Sequence, residues 1–279
     1  MLRPSHALVL CLWALVLPCA SAPASGAAPT AVALPTERPL RVLFVGNSYT
    51  FYNNLPQVFV AVATAAMPGR PPPEVEMVAA GGATLDDLLG LARFEATLRR
   101  GPWDVMVLQE RGGLLACLTT MQRPMPTECA ASVGAHRKMI KAARAAGVRR
   151  SVLFGTWQMG TREAGAASRG TRKLAGMLDV PMLDFAAMLF AAERADPASR
   201  WFTDDDHPHR LGTLLIASAL WSHVSGMPPR AQAVDFEIPQ YTGYHPLRRR
   251  AAAEAAAPRY RLQADEARMQ VIAQAIASG

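Results

Sequence analysis

Several common functional signatures are missing from this sequence. Only four of its 279 residues are cysteine. No two of them stand in a Cys-x-x-Cys spacing or beside a histidine cluster, which removes the usual signs of thiol redox chemistry and of a zinc site. After Leu17 no apolar run is long enough to cross a bilayer. No segment repeats. A continuous basic stripe is also lacking, although the formal net charge is +7. The dense basic runs are Arg99-Arg100, Arg149-Arg150 and Arg248-Arg249-Arg250. They fall at predicted helix ends or in a loop, where cations complement the helix dipole or are simply solvated. Nucleic acid is therefore not an expected partner; the charge implies at most weak attraction to anionic polymers.

The amino-terminal residues read as a leader. Arg3 and His6 precede the apolar stretch Ala7 to Leu17, and Ala20-Ser21-Ala22 has the small-x-small form of a signal-peptidase site. Residues 1–22 are expected to be a cleaved signal peptide. A lipoprotein signal ending at Cys19 is disfavoured by Pro18 beside it. Residues 23–38, rich in Ala, Pro, Ser and Thr, are expected to be a flexible linker. The protein would then be exported, either periplasmic or secreted. In an oxidising compartment Cys117 and Cys129 would form a disulfide, the alternative being two buried thiols. So short a loop would contribute about 3 kcal/mol by closing.

Short apolar runs alternate with helical patterns from Leu40 onward. Strands are expected at Leu40–Val45, Val75–Ala79, Asp104–Leu108, Ser151–Phe154 and Pro181–Asp184. Helices are expected over Leu55–Ala66, from Thr84 to near Gly101-Pro102, over Ala130–Ala146, Ala166–Leu178 and Phe185–Arg194, and from Arg210 through Val224. This alternation predicts an α/β fold, a doubly wound sheet of about five parallel strands flanked by helices. Residues 39–279 would form a single domain. From about residue 227 a helical extension is expected, with an amphipathic helix over Leu262 to Ile276. The loop Gly112–Thr127 begins at a strand end and would overhang the site, and Leu114, Leu115, Leu118 and Met121 offer a modest apolar lid.

Polar residues gather where the strands end. Gly46-Asn47-Ser48 follows the first strand, so Ser48 is either a nucleophile or a helix cap. Gly81-Gly82-Ala83-Thr84 follows the second and Gln109-Glu110 the third. Asp204-Asp205-Asp206-His207-Pro208 precedes the last long helix. His207 could take a serine proton through Nε2 while Asp204, folding back, accepts from Nδ1–H. Two other readings of that run stand beside it. One is a metal site of Asp204, Asp206 and His207; the other is a solvated turn.

Taken together, the blocks resemble the SGNH, or GDSL-like, serine hydrolase superfamily, from Arg41 to about Gly226. The resemblance implies a three-layer α/β/α fold and Ser48, His207 and Asp204 as catalytic residues. It implies an oxyanion hole of the Ser48 and Gly82 N–H groups, with Gln109 as third donor. Asn47 replaces the commoner Asp, and the usual Gly-x-Asn-Asp block is absent, so Gln109 either donates or merely ties neighbouring loops together. Gly212 fits the glycine that often follows the histidine. Trp157, Gln158, Tyr49 and Phe51 would line the substrate groove or pack beneath it. The resemblance further implies ester hydrolysis with no metal or organic cofactor. The substrate would be a small-molecule or glycan ester, with de-O-acetylation of a glycan, a lipase, or a non-catalytic glycan-binding protein as its forms.

Overall fold

The computed structural model describes residues 34–35, 37–120, 124–158, 165–241 and 255–279. The expected signal peptide, most of the expected linker and Met121 lie outside the described residues.

Five strands form one parallel sheet in the order β2-β1-β3-β4-β5. They are β1 (Arg41–Gly46), β2 (Glu74–Ala79), β3 (Val105–Gln109), β4 (Arg150–Phe154) and β5 (Met182–Leu183). Alternate side chains serve opposite layers, as the pleat requires. Val42, Phe44, Val105, Val107 and Val152 enter one core with helices α2 (Leu55–Ala66), α7 (Phe185–Ala195) and α8 (Arg210–Ser225). Leu43, Val45, Met106, Leu108 and Leu153 enter the other, with α3 (Leu85–Leu89), α4 (Ala92–Leu98), α5 (Thr127–Ala145) and α6 (Gly165–Leu178). Central strands buried on both faces become continuous apolar runs, which is why β1 and β3 show no alternation. The result is a three-layer α/β/α fold. The order of strand addition reverses between β1 and β3, and that is where such sheets open a crevice at their carboxyl edge.

Three elements differ from the sequence reading. The helix beginning at the Thr84 capping box is broken at Gly90 into α3 and α4, because Leu91 faces solvent while Phe94 and Leu98 turn inward. The leucines expected to form a lid belong to a 3-10 turn, Leu114–Thr119, and Leu115 and Leu118 are buried in the core against α5 and α6. That turn is tied to α5 by the Cys117–Cys129 disulfide.

The third difference lies at the carboxyl terminus, which is not purely helical. β6 (Val234–Pro239) and β7 (Arg259–Ala264) pair as an antiparallel ribbon before helix α9 (Glu266–Ser278). Tyr260, Leu262 and Ala264 alternate inward from β7, a period of two that a helical reading of Leu262 had absorbed. Ile238, Leu262, Met269 and Ile272 join the same core as α2 and α8.

Candidate active site

Ser48 opens α1 (Ser48–Phe51), a single turn that follows β1 directly. Asn47 makes the bend possible and uses its whole amide. Its Oδ1 accepts from Tyr49 N–H at 3.2 Å, and its Nδ2 donates to the Ala83 carbonyl at 2.9 Å. An aspartate would lack that second donor, which accounts for asparagine in this block. The same bond draws the turn after β2 toward the base of α1. Gly82 occupies that turn with φ +68, and no atom lies within 4 Å of where a Cβ would stand. As the first residue of a helix, Ser48 has an N–H with no intrahelical acceptor.

His207 reaches Ser48 from the far end of the chain. Its Nε2 lies 2.8 Å from Ser48 Oγ across 159 residues of sequence. The loop that carries it is closed by a bridge between Phe202 and Pro208 and by Thr203 N–H donating to the His207 carbonyl. Two neighbours hold it in place. Trp157 Nε1 donates to the Asp206 carbonyl at 2.9 Å, and Asn53 Nδ2 donates to the Pro208 carbonyl at 2.9 Å. Asn53 and Asn54 both have left-handed backbone angles, which asparagine tolerates better than most residues. Gly212 lets the first turn of α8 approach this loop, since a Cβ there would stand 2.4 Å from the Trp201 carbonyl oxygen. The imidazole is packed between aromatic rings. Tyr52 stacks on it at 4.6 Å, and Tyr49, itself stacked on Trp157, meets it edge-on at 5.3 Å.

Two expected roles need correction. Asp204 does not orient His207. It sits at the tip of the turn with its side chain 99% exposed and pairs with Arg200 at 2.6 Å. Asp205 stands there instead, with Oδ2 3.1 Å from His207 Nδ1 and Oδ1 held by the Thr203 hydroxyl. The Asp205 contact is close but off the hydrogen-bond axis, leaving Nδ1 without an aligned acceptor. Catalytic pairs are often misaligned without substrate. The Thr203 bond, ahead of the charge of His207, holds the Asp205 carboxyl below the usual range.

Gln109 is likewise not poised as an oxyanion donor. Its Oε1 accepts from Asn47 N–H and from the Thr50 hydroxyl, both at 2.8 Å, which fixes the amide orientation, and its Nε2 donates to the Glu110 carbonyl. Gly46 is packed so tightly here that a Cβ would fall 2.5 Å from Gln109 Oε1. Glu110 continues the brace by accepting from Leu85 N–H, Arg111 N–H and Ser132 Oγ. Burial raises the Glu110 carboxyl against these three bonds. The block after β3 thus ties together the ends of β1, α3 and α5.

Of the expected groove residues, Trp157 and Tyr49 are buried packing partners, Gln158 is exposed, and Phe51 stacks on Tyr241 at 5.1 Å. Asp205 and Tyr52 escaped the sequence reading. Nothing in a run of three aspartates says which faces the histidine, and a tyrosine four positions past the serine has no motif. Among the described residues no three or more His, Cys, Asp or Glu side chains group so as to hold a metal ion.

No protein-family model matches the sequence, and no curated protein does. Solved structures do match in fold. A protein described as a GDSL-like lipase, from Parabacteroides merdae, aligns with a TM-score of 0.53 at 17% identity, over 71% of this chain and 99% of its own. The acetyl xylan esterase AlAXEase aligns at 0.51 and 18% identity, over 66% of this chain and all of its own. A mutant of Axe2, an acetyl-xylooligosaccharide esterase of Geobacillus stearothermophilus, aligns at 0.50 and 15% identity, over 68% and 96%. At such identities the likeness is one of fold.

Proposed function

Starting from an SGNH, GDSL-like hydrolase fold with a serine and a histidine in contact at its crevice, we propose that this protein is a serine ester hydrolase working through an acyl-enzyme. The observation that carries the reading is the 2.8 Å approach of His207 Nε2 to Ser48 Oγ. A serine hydroxyl is a weak nucleophile at neutral pH and needs an adjacent base. In the first step Ser48 Oγ attacks the ester carbonyl carbon while its proton passes to His207 Nε2. The oxyanion that forms is met by the N–H groups of Ser48 and Gly82. Collapse breaks the bond to the alcohol oxygen, which takes the proton from His207. Water, deprotonated by His207, then attacks the acyl-enzyme and releases the acid and the free serine. Asp205 holds the imidazole tautomer, and Gln109 and Glu110 position the loops that carry the reacting groups. Burial of Leu115 and Leu118 takes these two residues out of the apolar lid on which a lipase reading rests. Disulfide formation supports an oxidising compartment, and with it export.

The test is hydrolysis of p-nitrophenyl acetate by the protein, by Ser48→Ala and in the presence of excess chelator. We expect rates to fall by about 10⁴-fold or more in the mutant and to be unchanged by the chelator. Activity that survives in Ser48→Ala, or that the chelator abolishes, would overturn the serine mechanism. An inactive protein whose Ser48 also fails to react with a fluorophosphonate would favour the binding-protein reading.

A further inference from the structure

His207 Nδ1 has no aligned acceptor, so the imidazole takes its position from the rings around it and the backbone that carries it. Besides Trp157, one short stretch of chain governs both. Asn53 Nδ2 donates to the Pro208 carbonyl and to Thr213 Oγ1, each at 2.9 Å, which ties the His207 loop to the first turn of α8. Tyr52, the residue before Asn53, stacks on the imidazole. Tyr52 to Asn54 therefore sets the place of the loop and the tilt of the ring together.

That stretch does not hold itself. Asn53 and Asn54 have φ of 51° and 52°, and successive left-handed residues persist only where their surroundings over-determine them. The carboxyl-terminal ribbon supplies those surroundings. Tyr260 of β7, itself buried, donates its hydroxyl to the Asn53 carbonyl at 2.6 Å across 207 residues of sequence. Asn54 Nδ2 donates to the carbonyl of Pro239, the last residue of β6, at 2.9 Å. The Tyr260 ring also lies against the Arg210 guanidinium at 4.6 Å, and Arg210 opens α8 three residues after His207. The ribbon thus reaches the His207 loop from two directions, through Asn53 and through Arg210.

Resting on the esterase reading, we propose that Tyr260 is a positioning residue for the base, and that the carboxyl-terminal ribbon sets how His207 meets Ser48 through the Asn53–Asn54 turn. A misplacement of about 1 Å between reacting groups can cost about 10²-fold in rate, so one bond in this chain of contacts is enough to matter. The experiment uses two conservative variants. Tyr260→Phe keeps the ring against Arg210 and removes only the hydroxyl. Asn53→Gly keeps the left-handed backbone and removes only the amide. On p-nitrophenyl acetate each should lower kcat by about 10- to 10²-fold, with KM within about twofold of the parent. The double variant should fall no more than about threefold below the slower single one, since both act through one chain of contacts. A kcat of Tyr260→Phe within about twofold of the parent, or losses that multiply in the double variant, overturns the proposal.

Two measurements separate positioning from a general loosening of the fold. In a His207→Ala background no base is left to position, so adding Tyr260→Phe should leave the residual rate within about twofold; a further loss of about tenfold overturns the proposal. The rate at which a fluorophosphonate labels Ser48 needs His207 but no ester, and it should fall in step with kcat in both single variants. Thermal melting above the assay temperature shows each variant folded, and Asn53→Gly decides alone should Tyr260→Phe not be. A parent that neither labels nor hydrolyses p-nitrophenyl acetate overturns the esterase reading and this proposal with it. A parent that does both, matched by Tyr260→Phe, overturns the positioning role alone.

Discussion

Asp204 and Asp205 have the same chemistry and adjacent positions, and only the turn separates them. Asp206, with φ +60, closes that turn onto Thr203, leaving Asp204 at the tip and swinging Asp205 under the imidazole. Because Asp205 is 59% exposed, its hold on His207 is screened more than that of a buried carboxylate. We expect Asp205→Asn to lower kcat by about 10²–10⁴-fold, whereas Asp204→Asn stays within about twofold of the parent. Steady-state rates of the two variants on p-nitrophenyl acetate decide it, and the reverse order would restore the spacing-based assignment. At this scale the sequence was legible for Ser48 and His207, which stand alone at a strand end and before a proline. It was not legible for Asp205 or Gln109. The first depends on a side chain's direction in a turn, and the second on which acceptors and donors a buried amide meets.

Among the elements, α6 is the one whose glycines have opposite meanings. Gly170 lies against the Leu114–Thr119 turn so closely that a Cβ would fall 1.8 Å from the Leu115 carbonyl oxygen. Gly176, two turns on, has nothing within 4 Å. Alanine stabilises an exposed helix by up to about 1 kcal/mol relative to glycine. At Gly170 that gain is outweighed by forced displacement of backbone, typically costing about 1–3 kcal/mol. Urea denaturation should therefore find Gly176→Ala neutral to about 1 kcal/mol more stable and Gly170→Ala about 1–2 kcal/mol less stable. Equal effects would mean that α6 does not press on the turn. Both glycines look alike in sequence as breaks in a helical pattern. The same limitation hid β7, where three inward residues at a period of two were too few to outweigh the helix that follows.

For the molecule as a whole, the buried histidines set an acid limit. Burial pushes His136 in α5 down to about 4, and burial with the nearby charge of Arg150 does the same to His223 in α8. His136 Nδ1 lies 2.8 Å from the Ser132 carbonyl oxygen, and the Glu110 carboxyl at 4.0 Å does not offset the loss of water. A histidine held neutral in the folded state lets the unfolded chain bind more protons as pH falls. Stability is then present above about 6.5, the ordinary histidine value, and is lost as pH drops toward 4. For His136 this amounts to about 2 kcal/mol between pH 7 and pH 5, with less from the partly solvated His223. Glu110 acts in the opposite sense, since a raised carboxyl contributes stability at low pH that is lost as pH rises through its titration. His136→Gln should shrink the difference in unfolding free energy between pH 7 and pH 5 by about 2 kcal/mol; an unchanged difference would remove His136 as its source.

What the sequence determined by itself was the layer architecture and the two residues, Ser48 and His207, that meet at its carboxyl edge. Buried parallel strands must be runs of apolar residues, helices packed on them must repeat at their own period, and polar residues at strand ends share one edge. Those rules act locally and survive in one dimension. Only the tertiary structure decided which aspartate faces His207, what Gln109 bonds, where Leu115 and Leu118 point, and that Tyr260 bonds Asn53. Each of these depends on a contact between residues whose separation along the chain carries no information about their separation in space, or on the direction of one side chain within a turn.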